Sequence, residues 1–375
     1  MGLRVDVHRQ VEAVARGAWD AVPGAGQGTL ALDFLAPCET ALPALEWRLL
    51  TARRGDECAG VAPGYVQQTE WAAVLSGFLA RRLRPLRVLE VGPPVCPGPC
   101  AAVRDGGAWA ELLDRARALL EEERLDVLAL RDFAGTVRTA EEEDLSARGF
   151  AVVTTRDTFV LPLPFADFGA YLAALRSDYR RRAQASLNLP LRVRVVRDFS
   201  GESGLLAQLI ELTTRRSTSS RAEHLDAALL SRWARVEDTA ALFIDDEGGA
   251  VQAAAVLLCD GPVVHFLRCG FDEAVGRASG AYLRLLFELV RFALEEGAEY
   301  LDLGVTSAEP KLRLGAQPVP LRVWAYPRHP LARLALRLAS PALATSRAKE
   351  SRHVFREPQP QVIPWWFRPL PVAAG

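Results

Sequence analysis

Residues 241–315 read ALFIDDEGGAVQAAAVLLCDGPVVHFLRCGFDEAVGRASGAYLRLLFELVRFALEEGAEYLDLGVTSAEPKLRLG. The first part, 241–271, is three strand-length apolar runs, broken at Asp245-Asp246-Glu247-Gly248-Gly249 and at Asp260-Gly261-Pro262. Acidic, glycine and proline residues in that arrangement are turn signals between strands. A glycine-containing loop then opens a helix over 281–297, whose apolar residues recur at helical spacing and which Gly297 stops. EYLDLG (299–304) reads as a short strand, the segment around Lys311 as a short helix, and LRVWAY (321–326) as a last strand.

The preceding residues extend the pattern in both directions. LRVRVVRDF (191–199) is strand-like, and GLLAQLIELTTRR (204–216) and LDAALLSRWARV (225–236) have helical spacing. Residues 164–187 read as one amphipathic helix joining this region to what lies before it. Earlier still the same order recurs. A hairpin spans about residues 46–67, a third strand 86–92, a helix 108–123, a strand 125–133, a further helix, and a strand 150–163. ALLEEERLDVLALRDF matches FALEEGAEYLDLGVT in layout, with an amphipathic helix ending in paired glutamates and then a strand. Two related halves follow, in an α/β chain with mixed sheets. The expected division is 1–163 for the first half, 164–190 for the connecting helix, and 191–330 for the second half. Residues 331–375 are expected to form an amphipathic helix and a Pro/Trp-rich tail.

Bulk composition narrows the function classes. Half of the 375 residues are hydrophobic and 24% charged, as in an ordinary globular chain. A formal net charge of −1 argues against DNA binding by bulk charge. No apolar run is long enough to span a bilayer, and the first 22 residues carry charges throughout without a leader-like apolar core, so a cytoplasmic protein is expected. Cys96-Pro-Gly-Pro-Cys100 has no companion Cys/His pair at zinc-like spacing. The six cysteines therefore read as reduced, mostly buried hydrophobes, and no metal is expected.

One residue stands out from composition alone. Of 45 Lys+Arg only Lys311 and Lys349 are lysine, and Asn188 is the single asparagine. A lysine that persists where lysine is otherwise replaced invites a reason that arginine cannot serve.

The order strand, strand, strand, glycine loop, helix, strand, short helix, strand resembles the GNAT acyltransferase fold. Two such halves in tandem resemble the Fem-type aminoacyltransferases and the GNAT-like proteins of peptidoglycan biosynthesis. The residues that carry this are YLAALRSDYRRR (171–182), LRCGFDEAVGRASGAY (267–282) and YLDLGVTSAEPKLRLGA (300–316). The resemblance implies two tandem GNAT-like domains, the second catalytic, and transfer of an acyl group to an amine without a metal. The donor it implies is acyl-CoA (acetyl-CoA) or a carrier thioester, with aminoacyl-tRNA as the Fem-like alternative. The acceptor it implies is a small amine or a peptide precursor. A free amine would attack a carbonyl polarised by a backbone amide of the fourth strand, and the donor's pyrophosphate would lie on the following helix N-terminus.

The glycine loop of that family maps onto Arg277, Ser279, Gly280 and Ala281, with Tyr282 departing from the small residue expected, so that its ring would crowd the phosphates. Lys311 is expected after the fifth strand, at the mouth of the cleft, as a flexible cation for a phosphate or an oxyanion. For the base, His265, Asp302 and Glu309 stay open; a packed core histidine is the blander reading of His265. Arg180 and Arg181, with Arg176 and Arg182, form a basic turn that would meet tRNA or a phosphate, or else a solvated helix face. No heptad arm of the tRNA-gripping kind appears. A non-catalytic accessory protein with a degenerate donor site is the third reading. The basic helix beyond residue 331 is expected to lay its apolar face on the domain rather than on a membrane surface.

Overall fold

Apolar runs of strand length separated by turns dictate sheets, and the computed structural model contains them at the expected places. It describes residues 2–69, 84–135, 138–214, 226–272, 280–343 and 351–369. Among these the strands are β1 (Leu3–His8), β2 (Glu46–Arg54), β3 (Glu57–Thr69), β4 (Leu86–Val91), β5 (Ala102–Val103), β6 (Val127–Ala134), β7 (Ala151–Pro162), β8 (Arg192–Val196), β9 (Thr239–Asp245), β10 (Val251–Asp260), β11 (Val263–Phe271), β12 (Tyr300–Asp302) and β13 (Gln317–Pro327). The chain divides into two compact units, one of residues 1–156, 320–347 and 363–375, the other of 157–319 and 348–362.

In the first unit β1, β2, β3 and β4 pair antiparallel in sequence order. A parallel partner for β4 requires a crossover, and the helix Gly106–Glu122 supplies it, bringing β6 alongside β4. Asp105 caps that helix by accepting from the Ala108 N–H. Its buried face, including Trp109, Leu112, Ala116 and Leu120, packs in one core with Leu50, Val91, Leu130 and Trp324. β1, whose LRVDVH alternates apolar and polar residues, and the helices Arg16–Asp20 and Leu32–Ala41 precede the elements read from the sequence.

In the second unit β8, β9, β10 and β11 pair antiparallel. The helix Ala281–Glu295 then crosses over, and β12 lies parallel to β11. Residues 160–162 of β7 pair antiparallel with β12. β9 is buried at every position, as an inner strand covered on both faces must be. Gly270 of β11 lets another helix approach, since a Cβ there would stand 2.5 Å from the backbone of Leu209 and Ile210 in Ser203–Thr214. Each unit thus has antiparallel strands, a crossover helix and a parallel strand, which bears out two GNAT-like domains in a mixed α/β chain.

Two details differ from the sequence reading. The helix expected over 164–187 is broken into Phe168–Ala174 and Ser177–Leu187. At the break Leu175 is extended and bridges to Phe355, the Arg176 N–H donates to the Val354 carbonyl, and the Arg356 N–H donates to Ala174. A returning segment far along the chain therefore captures backbone groups that a continuous helix would have used, which no local pattern announces. The strand containing LRVWAY, read as closing the second half, pairs instead with β6 of the first unit. Arg322 and Trp324 anchor it there, both donating to the buried carboxylate of Glu142.

Candidate active site

The parallel ladder between β11 and β12 is only three residues long, Val263↔Tyr300, Val264↔Leu301 and His265↔Asp302. β11 runs on to Phe271, while the chain after Asp302 turns at Gly304, whose φ is +69°. The two segments part there and leave a wedge. On its other edge β11 shifts register against β10, with Val256 opposite Arg268 and Leu257 opposite Phe266. Leu267 is therefore a bulged extra residue at the point where the strands separate, a device that re-aims side chains and backbone groups locally.

Lys311 lies in this wedge. It is carried by the short helix Ala308–Arg313, and its side chain is buried, 1% exposed. Nζ donates to the carbonyls of Leu303 and Gly304, and stands 5.7 Å from the ring centroids of both Phe159 and Phe266. The flexible cation expected at the mouth of a cleft is thus an enclosed amine fixed to the diverging backbone. Burial lowers its pKa to about 8, with Cys269 and Asp302 pulling the other way. Burial likewise pushes the Cys269 thiol up to about 11, against the pull of Lys311 and Arg268.

His265 and Asp302 occupy the last rung before the wedge. His265 is buried, with Nδ1 3.7 Å from Asp302 and Nε2 3.9 Å from Asp260, and Nε2 makes no hydrogen bond among the described residues. Asp302 accepts from the Thr158 hydroxyl at 2.8 Å and the Gly304 N–H at 3.0 Å. Burial raises its pKa, but His265, the Gly304 N–H and Thr158 together outweigh this and hold it below the ordinary carboxylate value. Glu309, on the same short helix as Lys311, points elsewhere. It is exposed and bound to Arg313 and Arg352.

Tyr282 opens the helix Ala281–Glu295 just after Gly280, which caps it at φ +71°. Its ring stacks on Phe271, centroids 4.6 Å apart and planes 22° apart, and its hydroxyl hydrogen-bonds Ser307. The ring is therefore laid along the end of β11 toward the wedge. Burial raises the phenol's pKa, so it keeps its proton at neutral pH. Ala281 is fully buried, and a Cβ on Gly280 would come within 2.7 Å of Leu189 Cδ1. Arg277 and Ser279 lie outside the described residues. Arg180 is half-buried and Arg181 exposed on Ser177–Leu187, and Arg181 pairs with Asp178 at 2.9 Å. No group of acidic, histidine or cysteine residues that could hold a metal occurs among the described residues. No described helix is long and apolar enough to cross a membrane.

Sequence reasoning picked out Lys311, Asp302, His265 and Tyr282, and the structure gathers these around the wedge. It missed Thr158, Cys269 and Ser307. Thr158 is distant in sequence, Cys269 reads like any small apolar residue, and Ser307 adopts a left-handed φ of +55° that nothing in the local sequence requires.

Residues 173–312 match the family model described as an acetyltransferase (GNAT) domain. Among solved structures, FemX is 14% identical with a TM-score of 0.60, covering 90% of this chain and 100% of its own. A tandem GNAT protein from the clavulanic acid biosynthesis pathway is 13% identical with a TM-score of 0.52, covering 88% of this chain and 99% of its own. The C-terminal domain of a protein described as a lysylphosphatidylglycerol synthetase from Agrobacterium fabrum is 12% identical with a TM-score of 0.53, covering 91% and 98%. No curated protein matches the chain in sequence. The second of these is itself described as a tandem GNAT protein, and in this chain the wedge lies inside the segment that the GNAT model matches. Residues 173–312 thus match a GNAT domain, and the chain as a whole shares the fold of the tandem GNAT protein and of FemX.

Proposed function

We propose that the protein is an N-acyltransferase that moves an acyl group from an acyl-CoA or carrier thioester to an amine, with its chemistry at the wedge between β11 and β12. The observation that carries this reading is the enclosed Lys311 amine at that wedge. A neutral lysine has two N–H bonds and one lone pair. Here the two N–H groups can serve the Leu303 and Gly304 carbonyls, which leaves the lone pair for a proton. With a pKa near 8, a useful fraction of Lys311 is neutral at the pH where a base must work.

In this scheme the acceptor nitrogen bonds to the thioester carbonyl carbon, and backbone N–H groups of β11 near the Leu267 bulge steady the oxyanion. Lys311 takes a proton from the attacking amine. Collapse breaks the carbon–sulfur bond, and the leaving thiolate recovers a proton, so that an amide and a free thiol result. His265 and Asp302 hold the last rung of the ladder and fix where the strands part, and the Tyr282 hydroxyl is a protonated donor beside Ser307. Gly280 and Ala281 at the helix N-terminus would bind the donor's phosphates, a role that the family loop also assigns to Arg277 and Ser279, and Arg180 and Arg181 would bind its remaining anionic groups.

Thermal-shift titration with acetyl-CoA, longer acyl-CoAs and, separately, charged tRNA tests the donor. A thioester donor at a hundred times its dissociation constant stabilises the folded state by about 2.7 kcal/mol. Stabilisation by charged tRNA alone would move the assignment to the Fem-like aminoacyltransferase. Stabilisation by none would favour the accessory-protein reading.

A further inference from the structure

An amphipathic helix on a folded domain ordinarily turns its apolar stripe inward. The helix Pro330–Leu343 does the reverse. Leu331, Leu334 and Leu338, at spacings that form one stripe, are 71%, 57% and 75% exposed, and Ala335 between them is exposed as well. The helix is held instead by its other side. Arg333 lies 4.5 Å over the Tyr326 ring, Ser340 donates to the Val152 carbonyl at 2.8 Å, and Leu336 is half-buried. The sequence reading, in which this apolar face packs on the domain, is therefore corrected: the leucine stripe faces outward, and Arg333, Leu336 and Ser340 face inward.

The charge around the stripe indicates what it meets. Between residues 328 and 343 the chain has Arg328, His329, Arg333 and Arg337 and no acidic residue, within a chain of net charge −1. Arg337 is exposed beside the stripe. A second copy of the same helix would set like charge against like. An anionic bilayer surface satisfies both features, since the leucines reach the acyl boundary while Arg337 beside them meets a lipid phosphate. We propose that Pro330–Leu343 is a membrane-surface docking helix that seats the protein on anionic lipid through Leu331, Leu334 and Leu338. This goes beyond the acyl-transfer reading and does not depend on it.

The test is co-sedimentation of the full chain with phosphatidylglycerol/phosphatidylcholine vesicles, and with phosphatidylcholine alone, at low and high salt. Binding is expected to the anionic vesicles and to weaken as salt rises. Leu334→Ser/Leu338→Ser should lower the partition coefficient roughly tenfold or more. Arg337→Glu should lower it roughly fivefold or more. Leu205→Ser, at another exposed leucine, should leave it unchanged. The substituted leucines are exposed, so unchanged circular dichroism and melting are expected, and Leu331→Ser gives an independent reading of the stripe. Failure of the wild type to bind anionic vesicles would overturn the proposal. So would undiminished binding by the leucine variants, or a lipid-free dimer that the same variants dissociate.

Discussion

Lys311 is singled out by composition, since it is one of two lysines among 45 basic residues, but its setting is not readable from sequence. Sequence places it after the fifth strand of the second half; only the fold shows it enclosed beside Phe159, a residue 152 positions earlier, and tied to two carbonyls. The scarcity of lysine makes its titration measurable. Selective ¹³Cε labelling of lysine should give two side-chain resonances, one of which should titrate near 8, below the ordinary value of 10.5. Coincident titration of both near 10.5 would remove the enclosed amine. The same shift has a stability consequence. A lysine whose folded pKa is lowered binds fewer protons in the folded than in the unfolded chain between pH 8 and 10.5, so its contribution rises with pH across that window. The rise amounts to at most about 3 kcal/mol. Denaturant melts of wild type and Lys311→Met should diverge over that range, with only the wild type gaining. Asp302 runs the same way in a lower pH window, because its lowered folded pKa gives stability present above its unfolded value and lost on acidification.

At the scale of elements, most of the second unit was legible. β9, β10 and β11 match the run 241–271 to within two residues, and the helix Ala281–Glu295 falls inside 281–297, because continuous apolar strands and a strongly amphipathic helix leave unambiguous patterns. The break at Leu175 and the partner of β13 were not legible, since both depend on distant segments competing for backbone and core. Close approach of elements gives a sharp test of packing. Gly270→Ala would force its Cβ into the backbone of Leu209 and Ile210, which cannot swing aside as a side chain can, and should cost about 1–3 kcal/mol. Gly204→Ala, in the same helix as Leu209 but with open space at its Cβ, should be neutral or stabilising by up to about 1 kcal/mol. Chemical denaturation of the two variants measures both. Equal effects would contradict the packing of Ser203–Thr214 on β11.

For the whole molecule, repetition of element order was the decisive signal, and the two units bear it out. The sequence did not show which unit the last strands join. Glu142 illustrates the consequence for the first unit, since its fully buried carboxylate accepts from Arg322 and Trp324 of β13. Glu142→Ala leaves the Arg322 guanidinium buried without its carboxylate partner and should cost about 3–5 kcal/mol, read from the midpoint of equilibrium unfolding. A loss below about 1 kcal/mol would mean that β13 is held by other contacts.

The central claim is acyl transfer with Lys311 as the proton acceptor. The most direct measurement is thiol release from acyl-CoA in the presence of a panel of primary amines, followed against pH for wild type, Lys311→Met and Lys311→Arg. The account predicts a wild-type rate that rises with pH through about 8, and variants slowed roughly a hundredfold or more that lack this rise. Wild-type turnover by Lys311→Arg, whose guanidinium holds its proton throughout, would contradict it.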